Sequence, residues 1–510
     1  MTDRRSRRFA AAVASGVLLA LSRPPLDLGL LALVALVPLF WAWRDVPPRL
    51  AALLGFVAGC TYYVILVSWT WYFGAVAIVP LVVILASFWV AVGASVARFT
   101  SRGLRNPVLL AAIWVLAEAL VARWPFGGFS WGEVGYALHD FAPARSVAAL
   151  GGLPLVSFVV VALNAAMVEL LAPRMHVDPS VARPARAVAA ATIVGVVVVT
   201  GGASAFALRP IATGHLRVAI LQGNDLDRDL TKRELDDRYL PRSHFQLASR
   251  LTGHYDLVVF PESSLDADPR KSPYLSSNLV ATATRLHSAV LANAIADAPD
   301  GRALNLNLLY GPDGRLESTY AKRHLVPFGE YVPFRDELRF IHEIQQQIPR
   351  DFAPGDRPGL ATVAGHRIAE VICFESAFGY EVRPLVKDGA QLIVVSTNNR
   401  SYRTSANSAQ HVAIGQMRAA ETGRPVVQAA ISGISAFIDA HGNVHDPTHL
   451  FQRTTDVATV TTTRGETPYV RFGEWVLLAS IIGVALASVR AAIGRRRAGP
   501  VDSAPVEARA

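Results

Sequence analysis

The chain has 510 residues, of which 52% are hydrophobic and 17% charged, with a mean hydropathy of +0.32 and a formal charge of +9. So apolar a composition excludes an ordinary soluble enzyme and predicts a membrane protein with a sizeable polar part. Only two cysteines occur, Cys60 and Cys373, which excludes a disulfide framework and a Cys/His metal cluster.

In chain order, apolar segments fall at 9–22, 28–43, 51–73, 75–97, 107–122, 153–172 and 187–208, with an isolated eighth at 473–490. The basic and apolar start of the chain has the features of a signal peptide, but further apolar segments follow, and we read it as an uncleaved first membrane segment. The first two segments are short for a span of about 20 residues and predict a shallow hairpin around Arg23, Pro24 and Pro25. Arg4, Arg5, Arg7 and Arg8 precede the first segment, and Arg44 and Arg49 follow the second. Arg98, Arg102 and Arg105 follow the fourth, and Arg174, Arg183 and Arg186 the sixth; Arg490, Arg495, Arg496 and Arg497 follow the eighth. This asymmetry places all of them in the cytoplasm, accounts for the net charge without nucleic acid, and leaves residues 209–472 outside. The expected division is a membrane region over 1–208, a catalytic domain over 209–472, a last transmembrane helix over 473–490 and a basic, disordered cytoplasmic tail over 491–510.

The outer loop 124–152 contains WPFGGFSWGEVGY, and SWTWYFG at 68–74 reaches the same face. Trp124, Phe126, Trp131, Tyr136 and Trp69 are thus candidates either for substrate contact or for an aromatic belt at the lipid headgroups. Glu118 is a carboxylate inside an apolar segment, expected to face the bundle interior toward Arg123.

From Leu216 the pattern changes to short apolar runs: RVAILQGN, DLVVFPESS, SAVLANAI, LNLNLLYGPDG, RIAEVICFE, AQLIVVSTNN, PVVQAAIS, SAFIDAHGNV and DVATVTTT. Helical stretches at 239–251 and 409–422 alternate with them, which predicts an α/β domain of its own. GPDG and AHGN read as hairpin turns.

The run ending in Cys373 has the β-branched character of a buried strand that delivers a thiol to its C-terminal edge. A lone cysteine of this kind is most simply a core residue. Glu262, ending DLVVFPESS, and Lys322, opening KRHLVPFGEYVPF, change that balance, because a thiol becomes a nucleophile when a base and a positive charge favour its thiolate.

FPESS, YAKRHLVPFGEYVPF and VICFES are similar to the Glu, Lys and Cys motifs of the nitrilase (carbon-nitrogen hydrolase) superfamily. Over residues 9–490 the whole chain resembles that superfamily's membrane-embedded apolipoprotein N-acyltransferase family, with HLVPFGEYVP as the most discriminating run. The resemblance implies an α/β fold, a nitrilase-like α-β-β-α sandwich on a bundle of eight transmembrane helices in the bacterial cytoplasmic membrane. The implied reaction moves an acyl chain from a membrane phospholipid to the N-terminal amine of a diacylglyceryl-cysteine apolipoprotein, with no cofactor, by a chain acting as a monomer. Glu262 would be the base, Cys373 the nucleophile, and Lys322 the oxyanion partner together with the backbone N–H of Phe374. Glu330 is expected to orient the lysine or the amine, Glu375 to fix the strand end, and Asn398 and Asn399 to shape the pocket. Tyr320, His324, Tyr331 and Arg383 are expected to support it. Phe374 stands where many relatives have tyrosine, and TNNRSYRTS at 397–405 stands where relatives often have an Asn-Asp-x-Trp-Phe-Gly-like loop. A membrane-tethered amidase or nitrilase, or a non-enzymatic lipid-binding protein, are the competing readings.

Overall fold

Long, largely apolar helices appear where the sequence offers them. The computed structural model describes every residue except 1, 103, 172–178, 206–209, 227–230, 237 and 498–510. The expected disordered tail over 491–510 is corrected in its first part: residues 491–497, rich in alanine and arginine, which favour a helix, continue the last helix Trp475–Arg497, while the rest of that tail, and Arg174 in its loop, lie outside the described residues. Among the described residues five helices are long and apolar enough to cross a membrane: Pro48–Leu66, Ala75–Thr100, Ala148–Leu171, Pro184–Ala205 and Trp475–Ile493.

The other three apolar segments take a different form. Residues Pro107–Val121 make a helix of 15 residues, capped by the Asn106 side chain on the N–H groups of Val108 and Leu109. At 1.5 Å per residue that is about 22 Å, short of a hydrocarbon layer of about 30 Å. The first segment lies in the helix Thr2–Leu21, whose leading turns are arginine-rich, and the second is broken into Gly29–Leu31, Ala32–Ala35 and Val37–Ala42. These two form the expected hairpin. Its arms are tied by Leu39 N–H to Ser15 Oγ at 2.8 Å and by Arg8 to the Ala42 carbonyl at 2.8 Å.

Glu118 faces the bundle interior, but its expected pairing with Arg123 is not what the structure holds. Glu118 accepts from the Trp114 indole and from Val134 N–H, both at 2.9 Å. Arg123, at the helix end, turns instead to Glu474 at 2.5 Å and lies over the Tyr380 ring. A buried carboxylate is satisfied by nearby fixed donors, whereas a long guanidinium can reach a polar partner at the helix end.

The polar domain contains two mixed six-stranded sheets. In the first, β1 (Ile211–Gln222), β2 (Leu257–Val259) and β3 (Ala289–Asp297) run parallel, flanked by β12 (Thr454–Arg464) on one side and by β4 (Ala303–Tyr310) and β5 (Leu316–Ala321) on the other. In the second, β7 (His366–Ile372), β8 (Leu392–Thr397) and β9 (Val426–Ala430) run parallel between β6 (Leu360–Val363) and the hairpin β10 (Ala436–Ile438) and β11 (Val444–His445). Both predicted hairpin turns are present, with Gly314 and Gly442 at positive φ, where a side chain would be strained.

Leu216, Val218, Ile220, Leu257 and Val259 meet Ile368, Leu392, Val394 and Val427 between the sheets. The helices Tyr239–Arg250 and Pro273–Leu286 cover the outer face of the first sheet, and Gly379–Lys387 and Asn407–Thr422 that of the second. The α-β-β-α sandwich is therefore present. Helix Asn407–Thr422 is buried on nearly every side, because the second sheet packs on one face and the membrane bundle on the other. Phe374, Phe378, Ile414 and Met417 accordingly share one core with Leu66, Trp114, Trp131 and Val160 of the membrane region.

Candidate active site

The near-continuous apolar run that buries β7 on both faces carries its last residue, Ile372, to the C-terminal edge of the sheet, and the chain then turns sharply at Cys373. That residue has φ of 52°, in the left-handed region that non-glycine residues seldom occupy. Such strain is kept only where the surroundings hold it. Here Glu375 does much of the holding. Its buried carboxylate accepts from Ile372 N–H at 2.8 Å with one oxygen, and from Arg323 N–H and the Tyr320 hydroxyl, both at 2.7 Å, with the other. Glu375 thus ties the β7 end to the segment that follows β5.

The same segment places Lys322 one residue beyond β5, fully enclosed, with its ammonium 2.8 Å from Glu330 and 3.4 Å from Glu262. Glu262 follows β2 and Pro261. One of its oxygens accepts from Asn305 Nδ2 at 2.7 Å and the other from Asn398 N–H at 2.8 Å. Glu330 is likewise held, by Val326 N–H at 2.7 Å and by the same Asn305 amide at 3.2 Å. Three carboxylates and one lysine from three separate stretches, after β2, after β5 and at the end of β7, thereby converge around the β7 elbow.

The electrostatics follow from burial. Cys373 keeps some exposure as a residue; burial, and after it the Glu262 charge, push its thiol up to about 12 against the opposing pull of Lys322, the Thr397 hydroxyl and Asn398 N–H. Burial alone would pull the Lys322 ammonium down, but Glu330, Glu262 and Cys373 raise it well above the ordinary lysine value. The lysine is therefore a permanent cation next to a resting, protonated thiol.

Several expected residues lie beside this cluster. Asn398 offers its backbone N–H to Glu262, and buried Asn399 bonds Asn407, Thr397 and His411. Trp131 stacks on Phe374 and meets Trp69 and His411 edge-on, and both indoles donate to Gln410. Phe126 packs against Phe328 and Phe334, at the segment that carries Glu330, and the Tyr331 hydroxyl donates to the Phe126 carbonyl. Tyr136 lies deeper, with its hydroxyl on the Ala377 carbonyl at 3.0 Å. Trp124 is apart from the cluster, 61% exposed and edge-on to Phe88. His324 pairs with Glu381 and stacks on Phe378, and Arg383 donates to the Val470 carbonyl.

Sequence reading did not single out Asn305, Thr397, His411, Gln410 or Tyr402. A signal was present for the first: asparagines at 293, 305 and 307 interrupt otherwise apolar strands, and a polar side chain in such a run needs a buried partner. Tyr402, in the divergent loop, packs edge-on to Trp69 and Phe73, so an aromatic ring occupies this wall despite the absence of a tryptophan in that loop. Among the described residues no group of His, Cys, Asp and Glu is arranged to hold a metal ion.

Residues 15–166 match the apolipoprotein N-acyltransferase N-terminal domain, and residues 217–469 match the carbon-nitrogen hydrolase domain. The apolipoprotein N-acyltransferase of Photobacterium profundum is 30% identical, over 98% of this chain and 98% of its own. That of Geobacter metallireducens is 29% identical, over 96% of each. Among solved structures, a CN-hydrolase superfamily protein from Xanthomonas campestris is 20% identical, covering 53% of this chain and 97% of its own, with a TM-score of 0.39.

Proposed function

The chain belongs to the apolipoprotein N-acyltransferase family, and from that premise we propose that it moves an acyl chain from a membrane phospholipid, through a thioester on Cys373, to the N-terminal amine of a diacylglyceryl-cysteine apolipoprotein. The observation that supports this most is a junction. Cys373 stands on a strained strand end beside Glu262 and Lys322, while the next residue, Phe374, packs into the core shared with the membrane bundle.

A thiol near 12 stays protonated at neutral pH, so its proton passes to Glu262 as the sulfur attacks the ester carbonyl. Lys322 then faces the developing oxyanion, and Glu330 anchors its ammonium so that Glu262 remains the base. Breaking the ester C–O bond leaves the thioester, and the proton on Glu262 goes to the departing lysophospholipid. In the second half the acceptor amine attacks the thioester carbonyl, loses a proton to Glu262, and releases Cys373, which takes that proton back. Apolar walls from Trp131, Phe129 and Phe374 favour an acyl-enzyme that outlasts water. Replacing Cys373 with Ala abolishes acyl transfer to a diacylglyceryl peptide while membrane insertion persists, and Cys60→Ala leaves transfer intact. Equal loss from both changes would assign the defect to folding and reject the nucleophile.

In the same reading the hairpin, the short helix Pro107–Val121 and the five long helices make an eight-segment membrane region in the cytoplasmic membrane. Residues 209–472 then face outward, as the arginine distribution requires. A reporter fused at Asp313 reads extracytoplasmic and one fused after Arg497 cytoplasmic; the same side for both would remove this topology.

A further inference from the structure

A second polar group reaches the sulfur. Because β8 runs parallel to β7 with Ser396 opposite Ile372, the following residue, Thr397, lies beside Cys373, and its hydroxyl is 3.3 Å from Sγ. The same hydroxyl is 3.3 Å from Asn399 Oδ1 and 3.2 Å from His411 Nδ1. One proton therefore faces three acceptors.

The bonds around His411 decide where that proton goes. Ser376 Oγ donates to the Cys373 carbonyl at 2.8 Å, so toward His411 Nε2, also at 2.8 Å, it can only accept. Nε2 therefore carries the imidazole proton, and the Cys373 carbonyl faces the same ring. The ring is neutral, because burial pulls His411 down to about 4. Its bare Nδ1 receives a donor from Asn399 Nδ2 at 3.3 Å, whose other hydrogen goes to Asn407 Oδ1 at 2.7 Å. With Nδ1 satisfied, the Thr397 hydroxyl is left with Asn399 Oδ1 and the sulfur, and once the sulfur is a thiolate its charge makes it the stronger acceptor of the two.

We infer that Thr397 is a further catalytic residue, which donates its hydroxyl hydrogen to the Cys373 thiolate, and that His411 and Asn399 are positioning residues that keep it there. Its part in turnover rests on the acyl-enzyme reading above. As the S–C bond forms and the ester C–O bond breaks, the thiol proton goes through Glu262 to the lysophospholipid oxygen, and Thr397 keeps its own. A thioester sulfur is a weak acceptor, so in the acyl-enzyme the hydroxyl rotates to Asn399 Oδ1, which lies close enough to take it. When the amine forms its N–C bond and the C–S bond breaks, the hydroxyl swings back to the departing thiolate. One rotor thus serves both halves of the reaction.

The test uses full-length protein carrying Cys60→Ala, in which iodoacetamide reports on Cys373 alone. Alkylation rates are measured between about pH 7 and about pH 10. Thr397→Val, which keeps the shape and removes the donor, slows alkylation roughly 10- to 100-fold across this range, and Thr397→Ser restores most of it. His411→Phe slows it as well, and the double change with Thr397→Val adds little to either alone. Wild-type rates in Thr397→Val, equal loss in Thr397→Ser, or fully additive losses would overturn the inference. Alkylation needs no lipid, so the relay and the acyl-transfer reading fail separately: a slow Thr397→Val in a protein that never forms a thioester would sink only the latter.

Discussion

Glu370 is a buried ionisable group that the reaction does not use. It lies on β7, three residues before Cys373, and its side chain faces the Asn307 amide outside good hydrogen-bond geometry, leaving one oxygen unpartnered. Burial raises its pKa to about 7. In the unfolded chain a glutamate titrates near 4.3, so between that value and about 7 only the folded state binds the proton. Its contribution to stability is therefore complete below the unfolded value and is lost as pH rises to about 7. Glu370→Gln, which mimics the protonated form, should raise the thermal midpoint at about pH 8, by on the order of 3 kcal/mol in stability, and change it little at about pH 4. A larger gain at the acidic end would contradict the assignment. At this scale the cluster of Glu262, Lys322 and Cys373 was legible, because an acid and a thiol each close an apolar run and a lysine opens a distinctive one. Thr397 and His411 were not, since a threonine at a strand end and a histidine in a helix carry no pattern until the fold joins them.

The element on which the site depends is the β7 end together with the segment after β5. Glu375 joins them through four backbone and hydroxyl donors, those of Ile372, Arg323, His324 and Tyr320. Glu375→Gln exchanges one acceptor oxygen for a donor that must face an N–H or a hydroxyl, and leaving such a buried donor unmatched costs roughly 1–3 kcal/mol. We expect a lower thermal midpoint and at least a tenfold loss of acyl transfer, both absent if Glu375 merely fills space. Apolar runs marked nine strands; β5 and β11 were implied only as the second arms of the two hairpin turns, and β6 escaped notice. β5 lies at a sheet edge with largely exposed side chains, and β6 and β11 are only 4 and 2 residues long, too short to show a period. The arms of the hairpin at 9–43 were predicted from length alone, and the broken second arm explains why its segment looked too short.

Across the whole molecule, the bundle and the sandwich form a joint structure rather than an enzyme on a tether. Gln410 of helix Asn407–Thr422 accepts from the Trp69 and Trp131 indoles and donates to the carbonyls of Pro24 and Leu66, so one side chain fastens the catalytic domain to three stretches of the membrane region. The sequence showed two regions of different pattern, but a seam made by packing leaves little local trace, and the near-complete burial of that helix emerged only in three dimensions. In the proposed reaction such a seam is the route by which an acyl chain reaches the thiol from the bilayer. The most direct measurement is incubation of the purified protein with a labelled phospholipid in the absence of any acceptor. The account predicts a single stoichiometric burst of lysophospholipid and a hydroxylamine-labile acyl group on Cys373, discharged when a diacylglyceryl peptide with a free amine is added. Continuous hydrolysis without acceptor, or transfer to the peptide with no acylated Cys373 at any time, would contradict it.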